Sequence, residues 1–415
     1  MKSIIMFTGG IETLDYFTRQ LADAFIKLGH KVFLYDLLND EIGYLPLIAF
    51  CKENDAVAVG FNYTGISGER FLSAEKTSGQ GDGTKLFFDE YNVPYYNIVV
   101  DHPFYYHSFL KMLPERYYEL CIDRGHLRFL HEYYPEIKNS DFLPLAGTNL
   151  LSTNIIKNDD MASYKRYDSR KMDIVFTGNY TAPEYFEKFF VEKGSDYEEF
   201  YRGIADDLMM NPDTPMEAAF TSHIRRELGN IGMENERLAM KNMIFIDLYV
   251  RFRYRAMIIK KLADGGFNVH TFGAGYNKLL PEMKHPENLT QHGGVGSEEC
   301  LRALNNAKIS LNVMPWFKEG AHDRVFNSIL NGALCLTDPS SFLIEELKDG
   351  TDIAYYSLNN VNSTDELCVK ADYYLTHSDE AKEVILNGYK KCMQFHTWAA
   401  RAAKLHTLIE HNEFV

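Results

Sequence analysis

The opening of the chain constrains its fold more than any other feature. Residues 3–8 form a short apolar run that stops at Gly9-Gly10, and a helical repeat begins at once. Leu14, Phe17, Leu21, Phe25 and Leu28 recur at spacings of three and four, which puts them on one face of a helix over 12–28 that Gly29 ends. Residues 31–36 (KVFLYD) read as a second strand. Strand, helix and strand in so short a space cannot form a hairpin. They form a right-handed crossover, and hence a parallel sheet with helices on both faces.

The alternation continues. Strands are predicted over 55–62, 95–101, 120–123 and 141–145, with helices over 85–91 and 126–134. A second α/β unit begins at 172–178 (MDIVFTG). A mostly helical stretch follows from 183 to 263, broken by Pro, Asp and Asn at 211–215. Strands return at 268–272, 289–292, 309–313 and 333–337, with helices over 297–306 and 321–330 between them. Helices over 379–393 and 397–411 close the chain. The polar segment between 150 and 170 lacks a clear period and reads as a linker.

Composition narrows the function classes. The formal charge of −15 argues against a general nucleic-acid binder, which would show a basic face. The six cysteines are scattered without a CxxC pair, so no zinc site is signalled and buried thiols in a reducing, cytoplasmic compartment are expected. No run approaches the roughly 18 apolar residues of a membrane span, and the N-terminus has too short an apolar run for a signal peptide.

The segment 289–339 carries the most chemistry: strand, Gly-rich turn, helix, strand, long loop, helix, strand. In open α/β sheets ligands sit outside the carboxyl ends of strands, where the loops 293–296 and 314–320 fall. A helix led by Gly320, Ala321 and His322 would aim unpaired N–H groups at an anion. Asp323, Arg324 and Asn327 share its polar face. Val325, Phe326, Ile329 and Leu330 form the face that packs on the sheet. Gly273-Ala274-Gly275 is a fragment of a dinucleotide fingerprint without its third glycine, and reads as a structural turn lining the donor site. Gly9-Gly10 is equally a tight turn or an acceptor-side contact.

Here the chain resembles GT-B glycosyltransferases, and more narrowly the CgeB-like, group 1 type associated with bacterial spore maturation. The resemblance rests on FTGNY at 176–180, FGAGY at 272–276, HGGVGSEE at 292–299, ISLNVMP, HDRVFNSILNGALCLTD and FHTWAARA at 395–402, with VVDHP at 99–103 in the N-terminal half. It implies two Rossmann-like domains facing an interdomain cleft: an acceptor-side domain over 1–165, a donor domain over 166–395 with a helical insert at about 183–263, and a C-terminal helix over 396–415 that crosses back to the first domain. It implies a nucleotide-sugar donor, a UDP-sugar by preference, a hexosyl or N-acetylhexosaminyl transfer, and a protein, glycan or small-molecule acceptor. No cofactor or metal is implied, and the chain has no Asp-x-Asp motif of the metal-dependent kind.

On that resemblance Gly178, Asn179, Tyr180, Gly273, Gly275, His292, Gly293, Gly320, Arg324 and Asn327 are donor-binding candidates, with Gly9 and Gly10 on the acceptor side. Retaining relatives carry two glutamates separated by seven residues; Glu319 fits the first position and Asn327 replaces the second. The relatives' basic pair near the first C-terminal-domain turn is not seen at 178–181, so Arg324 is read as the substitute that neutralises the diphosphate. Asp101, His102 and His322 are candidate bases, beside Glu319. Two rival readings stay open: a non-NAD nucleotide-sugar epimerase or hydrolase of the same fold, and a non-catalytic nucleotide-sugar binding protein.

Overall fold

The computed structural model describes residues 1–66, 86–150, 167–359, 361–362 and 364–411. It divides into two compact units, one of Met1–Leu145 with the segment from Trp398 onward, the other of Ala146–Thr397. The expected boundary at 165, and most of the linker read at 150–170, lie outside the described residues.

In the N-terminal unit six parallel strands, β1 (Ser3–Thr8), β2 (Val32–Asp36), β3 (Ala56–Phe61), β4 (Tyr95–Val99), β5 (Tyr117–Cys121) and β6 (Ser140–Phe142), take the order β2-β1-β3-β4-β5-β6. The central strands β1, β3, β4 and β5 are buried throughout; their apolar residues do not alternate with solvent-facing ones, and β4 and β5 each bury one polar side chain, Asn97 and Glu119. The Glu12–Lys27 helix buries Phe17, Leu21, Ala24 and Phe25; Leu28, expected on that face, is its exposed C-cap instead. The helix expected over 85–91 is a single turn, Phe87–Glu90, with Lys85 outside the described residues. A helix not expected, Asp40–Glu53, follows β2.

The C-terminal helix, Trp398–His411, is part of this unit. Trp398 packs on Phe17 and Phe61, with ring centroids 5.1 and 6.1 Å apart. The buried Arg401 guanidinium donates to the carbonyls of Pro144 and Leu145 at 2.6 and 2.9 Å. A guanidinium turned onto two backbone acceptors satisfies groups that would otherwise be buried unpaired.

The second unit has the strands β7 (Met172–Thr177), β8 (Val269–Phe272), β9 (Leu289–Gln291), β10 (Ala307–Leu311), β11 (Leu334–Thr337) and β12 (Ala354–Tyr355), all parallel, in the order β12-β11-β10-β7-β8-β9. The chain builds outward from β7 through β8 to β9, then returns to the other side of β7 with β10. This is the doubly wound Rossmann order, and it puts the switch of direction between β7 and β10. The long helical stretch resolves into Ser195–Met210, Met216–Leu228, Met233–Asn242 and Ile244–Asp264, with its break where Asn211 and Pro215 were expected to make one. Among the described residues no helix is long and apolar enough to cross a membrane.

Candidate active site

At the switch point of the N-terminal unit, the carboxyl ends of β1 and β3, the Gly9 and Gly10 N–H groups both donate to the Asp15 carboxylate at 3.0 Å. The turn's donors are thus taken by the chain's own acid. Gly9 has φ +89°, and a Cβ there would sit 2.6 Å from Asp36 Oδ1, so the turn itself demands glycine. Beyond β3, Asn62 and Tyr63 adopt positive φ of 47° and 62°. Side chains hold this costly backbone. Asn62 Oδ1 accepts from Val100 N at 2.8 Å, and Tyr63 N donates to Asn97 Oδ1 at 3.0 Å. Asp101 accepts from Asn62 Nδ2 at 3.1 Å and Tyr106 Oη at 2.9 Å. His102, a candidate base from sequence, is buried; its Nδ1 accepts from Phe104 N at 3.3 Å and its ring packs against Phe104, His126 and Phe129. That is a capping and packing role.

In the C-terminal unit the turns after β7 and β8 interlock. Gly178 N donates to Phe272 O at 2.8 Å, Tyr180 N to Ala274 O at 2.9 Å, and Ala274 N to Asn179 Oδ1 at 2.9 Å. Gly273 N donates to Gly293 O at 2.7 Å, tying in the turn after β9. A Cβ on Gly273 would stand 2.1 Å from Gly178 O, and one on Gly275, at φ +95°, 2.0 Å from Tyr180 O. Both obstacles are backbone, which cannot swing aside. Gly275→Ala is therefore expected to cost about 3 kcal/mol, read as a fall in melting temperature of roughly 6–12 °C. His292 is exposed and lies flat on Phe272, 4.1 Å between ring centroids.

The expected helix after β10 begins later than read. Its first residue is Asp323 and its N-cap His322, so Gly320 and Ala321 precede it, and Gly320 O accepts from Ser340 Oγ at 2.5 Å. The Asp323 carboxylate occupies the first turn, where a negative charge already answers the helix dipole. The helix N-terminus is therefore not the open anion cradle that the sequence suggested. Asn327, placed on the ribose by resemblance, accepts from Thr148 N at 2.8 Å and donates to Asp323 Oδ2 at 2.8 Å. Glu319 is half-buried in the preceding loop.

What the helix does deliver is Arg324. Its guanidinium is buried; Nη1 donates to Thr177 O, the last carbonyl of β7, at 2.8 Å. Arg255, from the Ile244–Asp264 helix, is equally buried and donates to Asn179 O two residues further on. Both guanidinium carbons lie over the Phe176 ring, at 5.2 and 5.1 Å. Gly178 makes room for the pair: a Cβ there would meet Arg324 Nη1 at 2.6 Å. Arg324 Nε and Nη2 and Arg255 Nε have no acceptor among the described residues, and neither guanidinium forms an ion pair there, though the charges of Asp323 and Asp338 support Arg324 from further off. Burial, and then the charge of Arg324, pulls Arg255 down to about 9; burial likewise lowers Arg324. Two like charges out of water with free donors cost stability unless an anion answers them.

Around this pair, His322 Nδ1 accepts from Arg324 N at 3.3 Å and lies 2.5 Å from Asp323 Oδ1. Burial and then Arg324 lower the His322 pKa, with Asp323 pulling the other way. Burial raises Asp323, but His322 and Arg324 outweigh it and hold the carboxyl low. Asp338, beyond β11, accepts from Met314 N at 2.8 Å and fixes the start of the loop after β10; burial pushes its carboxyl up to about 6.

The sequence singles out Arg324 and the three glycine turns but not Arg255. The missed signal was the run RFRYR at 251–255, which sets basic residues four apart on one helix. Arg251 of that run pairs with Asp247 at 2.9 Å and stacks on Trp316 at 4.0 Å.

Residues 253–407, less than half of the chain, match the model of a family described as glycosyl transferase-like. That stretch includes Arg255 and Arg324. No curated protein matches the chain. Among solved structures it is similar to sucrose-phosphate synthase from Thermosynechococcus elongatus, at TM-score 0.56 and 10% identity over 99% of this chain and 98% of the other. It is similar to the Anabaena protein HepE in complex with UDP and glucose, at 0.53 and 7% over 99% and 100%. A DNA-modifying β-glucosyltransferase, solved with and without uridine diphosphoglucose, matches at 0.54 and 13% over 99% and 100%. At such identities the likeness establishes the fold, and the fold is GT-B.

Proposed function

We propose that the chain is a glycosyltransferase that binds a nucleotide-sugar donor in its C-terminal unit, with the diphosphate on Arg255 and Arg324. The observation that carries this reading is the pair of buried guanidinium groups with unanswered donors at the carboxyl end of β7, beside the switch point with β10. A diphosphate supplies several acceptor oxygens and the opposite charge, and a guanidinium can take two of them at once. The family match over 253–407 and the UDP and UDP-glucose bound by structural neighbours support the same choice. A UDP-sugar is the preferred donor on that ground.

Transfer breaks the bond from the anomeric carbon to the diphosphate oxygen and forms one to an acceptor oxygen, whose proton passes to a base. Negative charge grows on the leaving diphosphate, and fixed cations stabilise it without reorganising. Two guanidinium groups can supply here the charge that a divalent ion supplies elsewhere, which is why we propose a metal-independent reaction. Glu319 and His322, at the loop and helix junction, are the proposed contacts to the donor sugar. Asp101 is the proposed acceptor-side base, and the Gly9-Gly10 turn, its N–H groups held by Asp15, is proposed to shape the acceptor side.

The test is a thermal-shift screen with UDP, GDP, UDP-glucose, UDP-GlcNAc and GDP-mannose, each with and without EDTA. At a ligand concentration a hundred times Kd, mass action adds about 2.7 kcal/mol to the native state. One nucleotide class is expected to raise the melting temperature, with the same rise in EDTA. No shift with any of the five would remove the donor-site assignment; a shift abolished by EDTA would remove the metal-independent part.

A further inference from the structure

We propose that the N-terminal unit holds a divalent transition-metal ion of the zinc class between His30, His406 and Glu410, and that the ion pins the C-terminal helix to the sheet. His30 Nε2 lies 3.0 Å from His406 Nδ1, and ligand atoms of all three residues fall within 4.8 Å of one another. Two imidazole nitrogens and a carboxylate oxygen are a donor set that zinc and its neighbours favour. Ligand atoms on a tetrahedral ion at about 2.1 Å stand roughly 3.4 Å apart, so side-chain rotations of a few tenths of an ångström open the histidine pair to that span. A water would complete the shell.

The backbone of Lys2 orients two of the three ligands. Its carbonyl lies 2.7 Å from His30 Nδ1, and a carbonyl only accepts, so Nδ1 carries the proton and Nε2 the lone pair. Its N–H donates to Glu410 Oε1 at 2.7 Å. A ligand histidine whose other nitrogen is held by a backbone carbonyl is the usual support of a protein metal site. His406 and Glu410 are four apart on the Trp398–His411 helix, so they share one face. His30 is buried in the turn between Gly29 and β2, its ring edge-on to Phe25 at 5.3 Å.

The position argues for a structural ion. Lys2 directly precedes β1 and His30 lies two residues before the start of β2, so the cluster lies at the amino ends of these strands, opposite the carboxyl ends where an open sheet binds its substrates. The helix it would fix is the chain's last described element; Trp398 and Arg401 hold its start and the buried Leu405 and Ile409 pack its second half. An ion on His406 and Glu410 would add to that packing.

The experiment uses untagged full-length protein, stripped with chelator and titrated with Co2+ and then Zn2+. We expect Co2+ to develop the visible absorption of a low-coordinate site at one ion per chain, Zn2+ to displace it, and saturating Zn2+ to raise the melting temperature by roughly 5–10 °C. His406→Ala is expected to weaken binding at least 100-fold, and Glu410→Gln about tenfold. No stoichiometric binding to the wild type, or wild-type affinity in His406→Ala, overturns the proposal. If His406→Ala does not fold, Glu410→Gln decides: unchanged affinity there overturns it equally.

Discussion

Arg324→Met and Arg255→Met are each expected to lose nucleotide-diphosphate affinity by roughly 30- to 1000-fold while the ligand-free protein keeps or gains stability. Each guanidinium is placed to make up to two charge-assisted hydrogen bonds, worth about 1–2 kcal/mol apiece after desolvation, and every 1.4 kcal/mol is tenfold. The stability half of the expectation comes from the unliganded site. Both groups are buried, each bonds one backbone carbonyl, and three of their donors have no acceptor among the described residues. Arg255 is pulled down to about 9, first by burial and then by Arg324, so the charge at 324 adds to the cost of a cation at 255. Methionine keeps an unbranched apolar chain at the site and removes the charge. A residue whose role was packing alone would show the reverse: lower stability, unchanged affinity. Arg251→Met supplies that reverse case. Its partner Asp247 is 2.9 Å away and its guanidinium lies over Trp316, so we expect lower stability and nucleotide affinity within about threefold of wild type. Isothermal titration beside a thermal melt reads both quantities. Wild-type affinity in both methionine variants at 255 and 324 would end the donor-site assignment.

The asymmetry between those arginines shows what the sequence could and could not reveal. The parallel sheets were legible because β1, β3 and, after Asp173, β7 are mainly apolar runs ending at Gly9, Asn62 and Gly178, and a buried parallel strand leaves that mark. The Asp323–Leu330 helix was legible from its two faces, but its start was not. Gly320 and Ala321 read as a helix opening, whereas His322 is the cap and Asp323 the first turn. The Asp40–Glu53 helix escaped notice because Gly43 and Pro46 interrupt its pattern and its apolar residues do not gather on one face. Arg255 escaped for a different reason. It lies 69 residues before Arg324 in sequence, inside a helical stretch with no glycine turn to flag it. Its meaning comes only from the carbonyl of Asn179 and the ring of Phe176, which it shares with Arg324. Spacing marks residues on one element; it cannot mark two elements that converge.

Glu119→Gln is expected to flatten the wild type's loss of stability between about pH 5 and pH 8, by roughly 3 kcal/mol across that range. Glu119 lies on β5 with none of its surface exposed, and its Oε2 accepts from Tyr117 Oη at 2.6 Å and Tyr63 Oη at 2.9 Å. Burial raises its carboxyl from the ordinary 4.5 to about 7, with the two hydroxyls pulling the other way. The folded state therefore holds the proton more tightly than the unfolded chain. Its contribution is complete below about pH 4.5, declines as pH rises, and is gone once pH passes 7. A difference of about 2.5 pH units at 1.36 kcal/mol each gives the magnitude. The amide cannot ionise, so the variant melts above the wild type at pH 8.5 and level with it or below at pH 5. Other raised groups, such as Asp338 in the second unit, tilt both proteins alike and cancel in the difference. The consequence reaches the switch point of the N-terminal unit. Tyr63, at positive φ, is held by Asn97 through its N–H and by Glu119 through its hydroxyl, and Asn97 in turn donates to Tyr117 at 2.8 Å. Ionising Glu119 places an unsolvated charge against the support of the most strained backbone at the end of β3. A stability difference between variant and wild type that stays constant from pH 5 to pH 9 would show that this carboxyl keeps an ordinary pKa, and would remove the link.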